Sequence, residues 1–128
     1  MDAMSKHFTF HELLRSETAE RRGIENTPND IAVFVNLHNL MECVLEQARK
    51  ELGKPIYVNS GYRCPQLNSL VGGVPNSHHL EGRAADLRTE GRNRQLFDIL
   101  SRMKADGYPI GELLWEGGGT WIHVCSTL

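Results

Sequence analysis

Apolar positions follow helical spacing through the first half of the chain and alternate with polar ones in short runs further on. Thr9 and Glu12 form a T-x-x-E capping box, and Phe8 with Leu13 supplies the apolar pair that staples a helix start. The spacing predicts a helix from Thr9 to about Arg22, stopped by Gly23. Thr27 and Pro28 predict a second start, with Thr27 as N-cap and Pro28 in the first helical position. Phe34, Leu37, Met41, Val44, Leu45, Ala48 and Leu52 then share one helical face, predicting a long amphipathic helix that ends near Gly53 and forms the main scaffold of the core. His38 falls inside this helix, where a surface or packing role is expected.

The second half reads differently. Ile56 to Val58 predicts a short strand after Pro55. The stretch from Asn59 to Arg83 is rich in Gly, Pro, Asn and Ser, and predicts irregular chain with a short helix from Pro65 to Leu70. An irregular segment of this length in a small domain is usually functional. Ala84 to Arg88 predicts a strand, and Leu96, Ile99, Leu100 and Met103 a helix closed by Gly107 and Pro109. Leu113 to Glu116 and Trp121 to Cys125 predict the last two strands, joined at Gly117-Gly118-Gly119. Helices first, then short strands with one helix between them, predicts an α+β fold with an antiparallel sheet packed on the N-terminal helices.

Composition narrows the function classes. The 128 residues suit one domain spanning the chain, with residues 1–7 expected to be poorly ordered. A formal charge of −2 gives no electrostatic case for a nucleic-acid partner. No stretch reaches the roughly 18 apolar residues that a membrane span needs. Met1 to Lys6 lack the apolar region of a signal peptide, so a start in the cytoplasm, or export by another route, is expected. A monomer is expected as well. Cys43, Cys64 and Cys125 form no CxxC pair and are expected to be free thiols.

Strand alternation points to one constellation. Trp121, His123 and Cys125 share a face of the last strand, and Ala84, Asp86 and Arg88 share a face of the earlier one. With Leu87, Ile122 and Val124 toward the core, Asp86 and His123 both point away from it. His79 lies in the loop that feeds the Asp86 strand. Two imidazoles and one carboxylate suit zinc, which in catalytic sites takes three protein ligands and keeps a further position open. A carboxylate must then accept a proton. Glu116, closing the strand beside His123, is the favoured candidate, with Glu112 second. Each residue also has a plainer reading: Asp86 as a turn or capping residue, Glu116 as an exposed strand end, and Trp121 as a pocket wall.

Three blocks in order carry a family resemblance: Ser60-Gly61-Tyr62-Arg63, Ser77-His78-His79-Leu80-Glu81-Gly82-Arg83-Ala84-Ala85-Asp86, and Trp121-Ile122-His123. They resemble the S-G-Y-R, S-x-H-x-x-G-x-A-x-D and W-x-H pattern of the zinc D-Ala-D-Ala carboxypeptidases. That family includes vancomycin-resistance D,D-dipeptidases and phage L-alanyl-D-glutamate endolysins. The segment from Phe8 to Leu13 and the Thr27-Pro28 pair are similar to a short, single-domain subgroup, so the resemblance runs from Phe8 to Val124.

The resemblance implies the small zinc fold shared with the hedgehog signalling domain, and Zn2+ held by His79, Asp86 and His123. It implies that Arg63 binds a substrate carboxylate or the polarised carbonyl oxygen, where a guanidinium can pair bidentately. A structural bridge bracing the long loop is the other role open to Arg63. Ser77, Tyr62 and Trp121 are expected on the substrate side. Many relatives carry the catalytic acid three residues before the last histidine, where this chain has Thr120. The short subgroup instead resembles Q-L-I-x-E, matched here by Glu112-Leu113-Leu114-Trp115-Glu116 with Glu112 at the usual Gln position.

Two functions follow from the resemblance. One is hydrolysis of peptide bonds involving D-amino acids in peptidoglycan stem peptides, by a carboxypeptidase or an endopeptidase, with a lytic role in a phage as one setting. The other is a non-catalytic zinc-binding module of a wall or phage particle, as the hedgehog precedent shows that fold and function separate.

Overall fold

The apolar positions of the long middle helix converge on the interior: Leu37, Met41, Val44, Leu45, Ala48 and Leu52 are all buried, and Leu40 joins them. The computed structural model describes residues 5–128. The rod they build consists of α3 (Ile31–Leu40), one π-helical turn (Met41–Leu45) and α4 (Glu46–Leu52), and it stops at Gly53, whose φ of 70° needs glycine. His38 is exposed. The rod starts later than predicted. Asp30, not Thr27, is the N-cap, accepting from the Ala32 backbone N–H at 2.9 Å. A short carboxylate at a helix N-terminus satisfies an orphan donor and favours the dipole, while a residue before proline, as Thr27 is, disfavours the helical region.

The first predicted helix is two. α1 (Phe10–Leu14) begins at Thr9, whose hydroxyl accepts from Glu12 N, and Phe8 and Leu13 are buried as the staple requires. It breaks at Arg15, and Ser16 caps a new helix, α2 (Glu17–Arg22), by accepting from Ala19 N. The break has a use. A helix end leaves its last carbonyls without partners, and here Leu13 O accepts from Tyr62 N and Leu14 O from the Asn26 side chain.

Four strands form one antiparallel sheet in the order β1-β2-β4-β3: β1 (Tyr57–Ser60), β2 (Ala84–Arg88), β3 (Ile110–Glu116) and β4 (Trp121–Ser126). The architecture is thus α+β. The short helix α5 (Pro65–Leu70) lies where predicted, and a 3-10 turn at His78–Glu81 adds order to the long loop. Along β2 and β4, Ala85, Leu87, Ile122 and Val124 are fully buried against the helices. The helix α6 (Asn93–Ala105) buries Leu96, Leu100 and Met103 and packs on α4 and β3. No described helix is long and apolar enough to cross a membrane.

Residues 1–4 of the predicted loose end lie outside the described residues. The following residues are placed: the backbone N–H and ring of His7 both bond to the Glu46 carboxylate in the helical rod. Burial works to raise the Glu46 pKa, but the bonds from His7 and Ser5 outweigh it and hold the carboxyl below its ordinary value. A depressed folded pKa stabilises the fold above the ordinary carboxylate pKa and is lost as pH falls through the depressed one. Acid unfolding followed by circular dichroism should therefore begin at higher pH for Glu46→Gln than for the unmodified chain, with the two curves closest at the most acidic pH.

Close packing makes a second expectation. A Cβ at Gly61 would sit 2.3 Å from Leu13 O, a backbone atom. Gly61→Ala should cost about 1–3 kcal/mol, the range for overpacking, read as a lower urea midpoint at unchanged m-value.

Candidate metal centre

Register brings the site together. Asp86 lies directly opposite His123 across β2 and β4, Ser60 pairs with Asp86 on one side, and Leu114 pairs with His123 on the other. This row crosses the sheet on the face turned away from the helices. His79 reaches it from the 3-10 turn, where Ser77 caps the backbone by accepting from His79 N. Gly82 ends that turn with φ 75° close to Val33 O, so a side chain there would meet the helical rod.

The two imidazoles are held differently. His79 is buried, and its Nδ1 donates to Gly61 O at 2.7 Å. That bond fixes the tautomer and leaves Nε2, 3.4 Å from Asp86 Oδ1, with a free lone pair. His123 turns Nδ1 toward Asp86 Oδ1 at 2.9 Å. The candidate ligand atoms of His79, Asp86 and His123 all lie within 4.8 Å of one another. Burial opposes the Asp86 charge, yet hydrogen bonds and charge from His123 and His79 hold its carboxyl far below the ordinary range. The His123 pKa is also burdened by burial, but Asp86 and Glu112 together raise it. Two imidazole nitrogens and an ionised carboxylate, clustered and largely shielded from solvent, fit a divalent transition metal of the zinc type.

Arg63 braces the centre. Its Nε donates to Ser60 Oγ at 3.1 Å and one terminal nitrogen to Asn68 Oδ1 at 3.2 Å, while the other reaches Asp86 Oδ2 at 3.4 Å. A guanidinium has five N–H donors, so the bracing role leaves donors for a substrate as well. The centre opens into a cleft of about 480 Å³ walled by Arg63, Val74, Ser77, Glu112, Glu116 and Trp121.

A family model described as Peptidase M15 matches residues 6–125. The chain belongs to the peptidase M15 family. Among curated proteins it is similar to a zinc D-Ala-D-Ala carboxypeptidase of Streptomyces albus G, 52% identical over 74 residues. That match covers 57% of this chain and 28% of the relative, so the chain corresponds to little more than a quarter of the relative's length.

Within this M15 domain the residues singled out by sequence divide unevenly. His79, Asp86, His123, Arg63, Ser77, Glu116, Glu112 and Trp121 all border the cleft. Tyr62 does not: it is buried in the core. Thr120 is exposed and bonds back to Gly117 O within the turn. Sequence reasoning passed over Asn26, whose amide donates to Leu14 O and Tyr62 O and accepts from Cys64 N. It also passed over Asn68, buried and bonded to Arg63 and Val74 O. Neither carries a periodic signal, since Asn26 lies in a connecting loop and Asn68 on the short helix α5. A Cβ at Gly73 would strike Asn68 Oδ1, so the glycine leaves room for that amide.

Zinc added to the metal-free protein should raise its stability by about 2.7 kcal/mol at a free concentration one hundred times Kd. His79→Ala and Asp86→Asn should each abolish most of that gain. Thermal unfolding with and without zinc checks both, and a His79→Ala protein that gains as much as the parent would refute the assignment.

Proposed function

We propose that this chain is a zinc-dependent peptidase that cleaves a bond involving a D-amino acid in the stem peptides of peptidoglycan, as a carboxypeptidase or an endopeptidase. The observation that carries the reading is the meeting, in one open cleft, of the His79–Asp86–His123 cluster, the Arg63 fork and the carboxylate of Glu116. The Streptomyces relative, whose name records zinc and D-Ala-D-Ala, supports the same substrate class.

Bound zinc supplies Lewis acidity to the scissile carbonyl and to water. The protein's own groups do the rest. Glu116 closes β3 opposite Trp121, half-buried on the cleft wall, where a carboxylate can take a proton from the attacking water and return it to the leaving amine. Arg63, fixed by Ser60, Asn68 and Asp86, offers its remaining donors to the substrate's carboxylate or carbonyl oxygen. Its rigidity matters, because an oriented donor needs no rearrangement as charge develops. Trp121 gives the substrate an apolar wall beside Glu116.

Glu116→Gln should retain zinc and lose roughly 10²–10⁴-fold in kcat/KM, measured by mass spectrometry of muropeptides incubated with and without chelator. Equal turnover by variant and parent would remove Glu116 from the mechanism. A zinc-loaded parent that never cleaves muropeptides would favour a wall-binding module instead.

A further inference from the structure

The cleft holds two glutamates, and the reaction described above uses one. Glu112 and Glu116 alternate with Leu114 on the same face of β3, two residues apart on either side of it, and both border the cleft. Their surroundings differ. Glu112 Oε1 lies 2.9 Å from His123 Nε2, the ring nitrogen that does not face Asp86. Glu116 has no ion pair among the described residues. We propose that Glu112 is a positioning residue, whose carboxylate holds the His123 imidazole through Nε2 so that Nδ1 stays aimed at His79 and Asp86. This rests on the metallopeptidase reading for its chemistry, and its experiment separates the two.

The chemistry of the ring supports the assignment. A histidine that ligates a metal through one nitrogen commonly donates the other N–H to a carboxylate or carbonyl, which fixes tautomer and orientation. His79 already follows this arrangement with Gly61 O. For His123 the sheet offers no carbonyl in that place, and Nε2 is buried with no aligned hydrogen-bond partner, although Glu112 is within reach. A modest turn of a half-exposed side chain completes the bond. The bulge in β3 between Ile110 and Leu113 lies where Glu112 leaves the regular ladder, and bulges re-aim side chains. The Glu112 backbone is itself held, since its N–H donates to Cys125 Sγ at 3.0 Å. Glu112 therefore approaches the cluster through the imidazole of His123, whereas a proton shuttle must touch the reacting water. Glu116 stays free for that task.

The test uses Glu112→Ala, Glu112→Gln and Glu116→Gln in the full chain, with zinc affinity by chelator competition and the visible spectrum of the cobalt-substituted protein. Glu112 is half-exposed, so the variants should fold, which far-ultraviolet circular dichroism verifies. Glu112→Ala should bind zinc roughly 10–100-fold more weakly, the usual cost of losing such a partner, and should shift the cobalt bands. Glu112→Gln, which keeps an acceptor oxygen, should recover most of the affinity, and Glu116→Gln should match the parent. Unchanged affinity and spectrum in Glu112→Ala would overturn the proposal. So would a Glu112→Gln protein with parental zinc affinity and no muropeptide turnover, since that is the behaviour of the base. If the parent itself cleaves nothing, the peptidase reading fails while the affinity and cobalt measurements still decide the role of Glu112.

Discussion

The pairing of Asp86 with His123 across two neighbouring strands is the constraint on which the site depends. It is set from the other side of the sheet. Ala85, Leu87, Ile122 and Val124 are fully buried against the helices, and the last three are large apolar side chains that contribute about 1.5–3 kcal/mol each when fully buried. A slip of one residue would turn that set toward water and the ligands toward the core. The hydrophobic core thus sets how Asp86 and His123 face one another, and these candidate ligands need contribute little to their own placement. The like orientation of Leu114, Glu112 and Glu116 on β3 follows from the same alternation.

His79 is the candidate ligand that alternation cannot place, because it comes from a loop. Its position depends on a chain of backbone contacts. Gly61 O accepts from its ring, Arg63 N donates to its carbonyl, and Tyr62 N is anchored on Leu13 O at the end of the first helix. Asn26 ties the same loop to Leu14 and Cys64. Polar groups buried this way are worth most when all of them are satisfied, and here the helix break at Arg15 exposes the carbonyls that satisfy them.

This division explains what the sequence could and could not reveal. The strand faces, the rod from Leu37 to Leu52 and the small helix at Pro65 were legible because burial imposes a period. Asp86 and His123 were legible because strand alternation and the motif blocks coincide there, whereas His79, in a turn, was legible from its motif block alone. The break between α1 and α2 was not, since Ser16 competes locally as a cap while the surrounding pattern stays helical. α3 starts later than Thr27 because Asp30, three residues on, caps it by accepting from Ala32 N. Tyr62 misled through adjacency: it neighbours Arg63 in the motif, yet successive residues of extended chain face opposite ways. Asn26 bonds to Leu14 and Tyr62, far away in sequence, while Asn68 ties Arg63 to Val74 across its own short helix, and no period announces either contact.

The anchoring of the ligand loop on Leu13 and Leu14 has a consequence for moving this chemistry elsewhere. A protein engineer who grafts only the three motif blocks onto a foreign sheet would carry over Asp86 and His123 with usable geometry but would leave the third imidazole unsupported. The smallest portable unit includes the end of the first helix and Asn26, neither of which belongs to the His79–Asp86–His123 cluster. Transplants that omit them would need another pair of orphaned carbonyls in the same place.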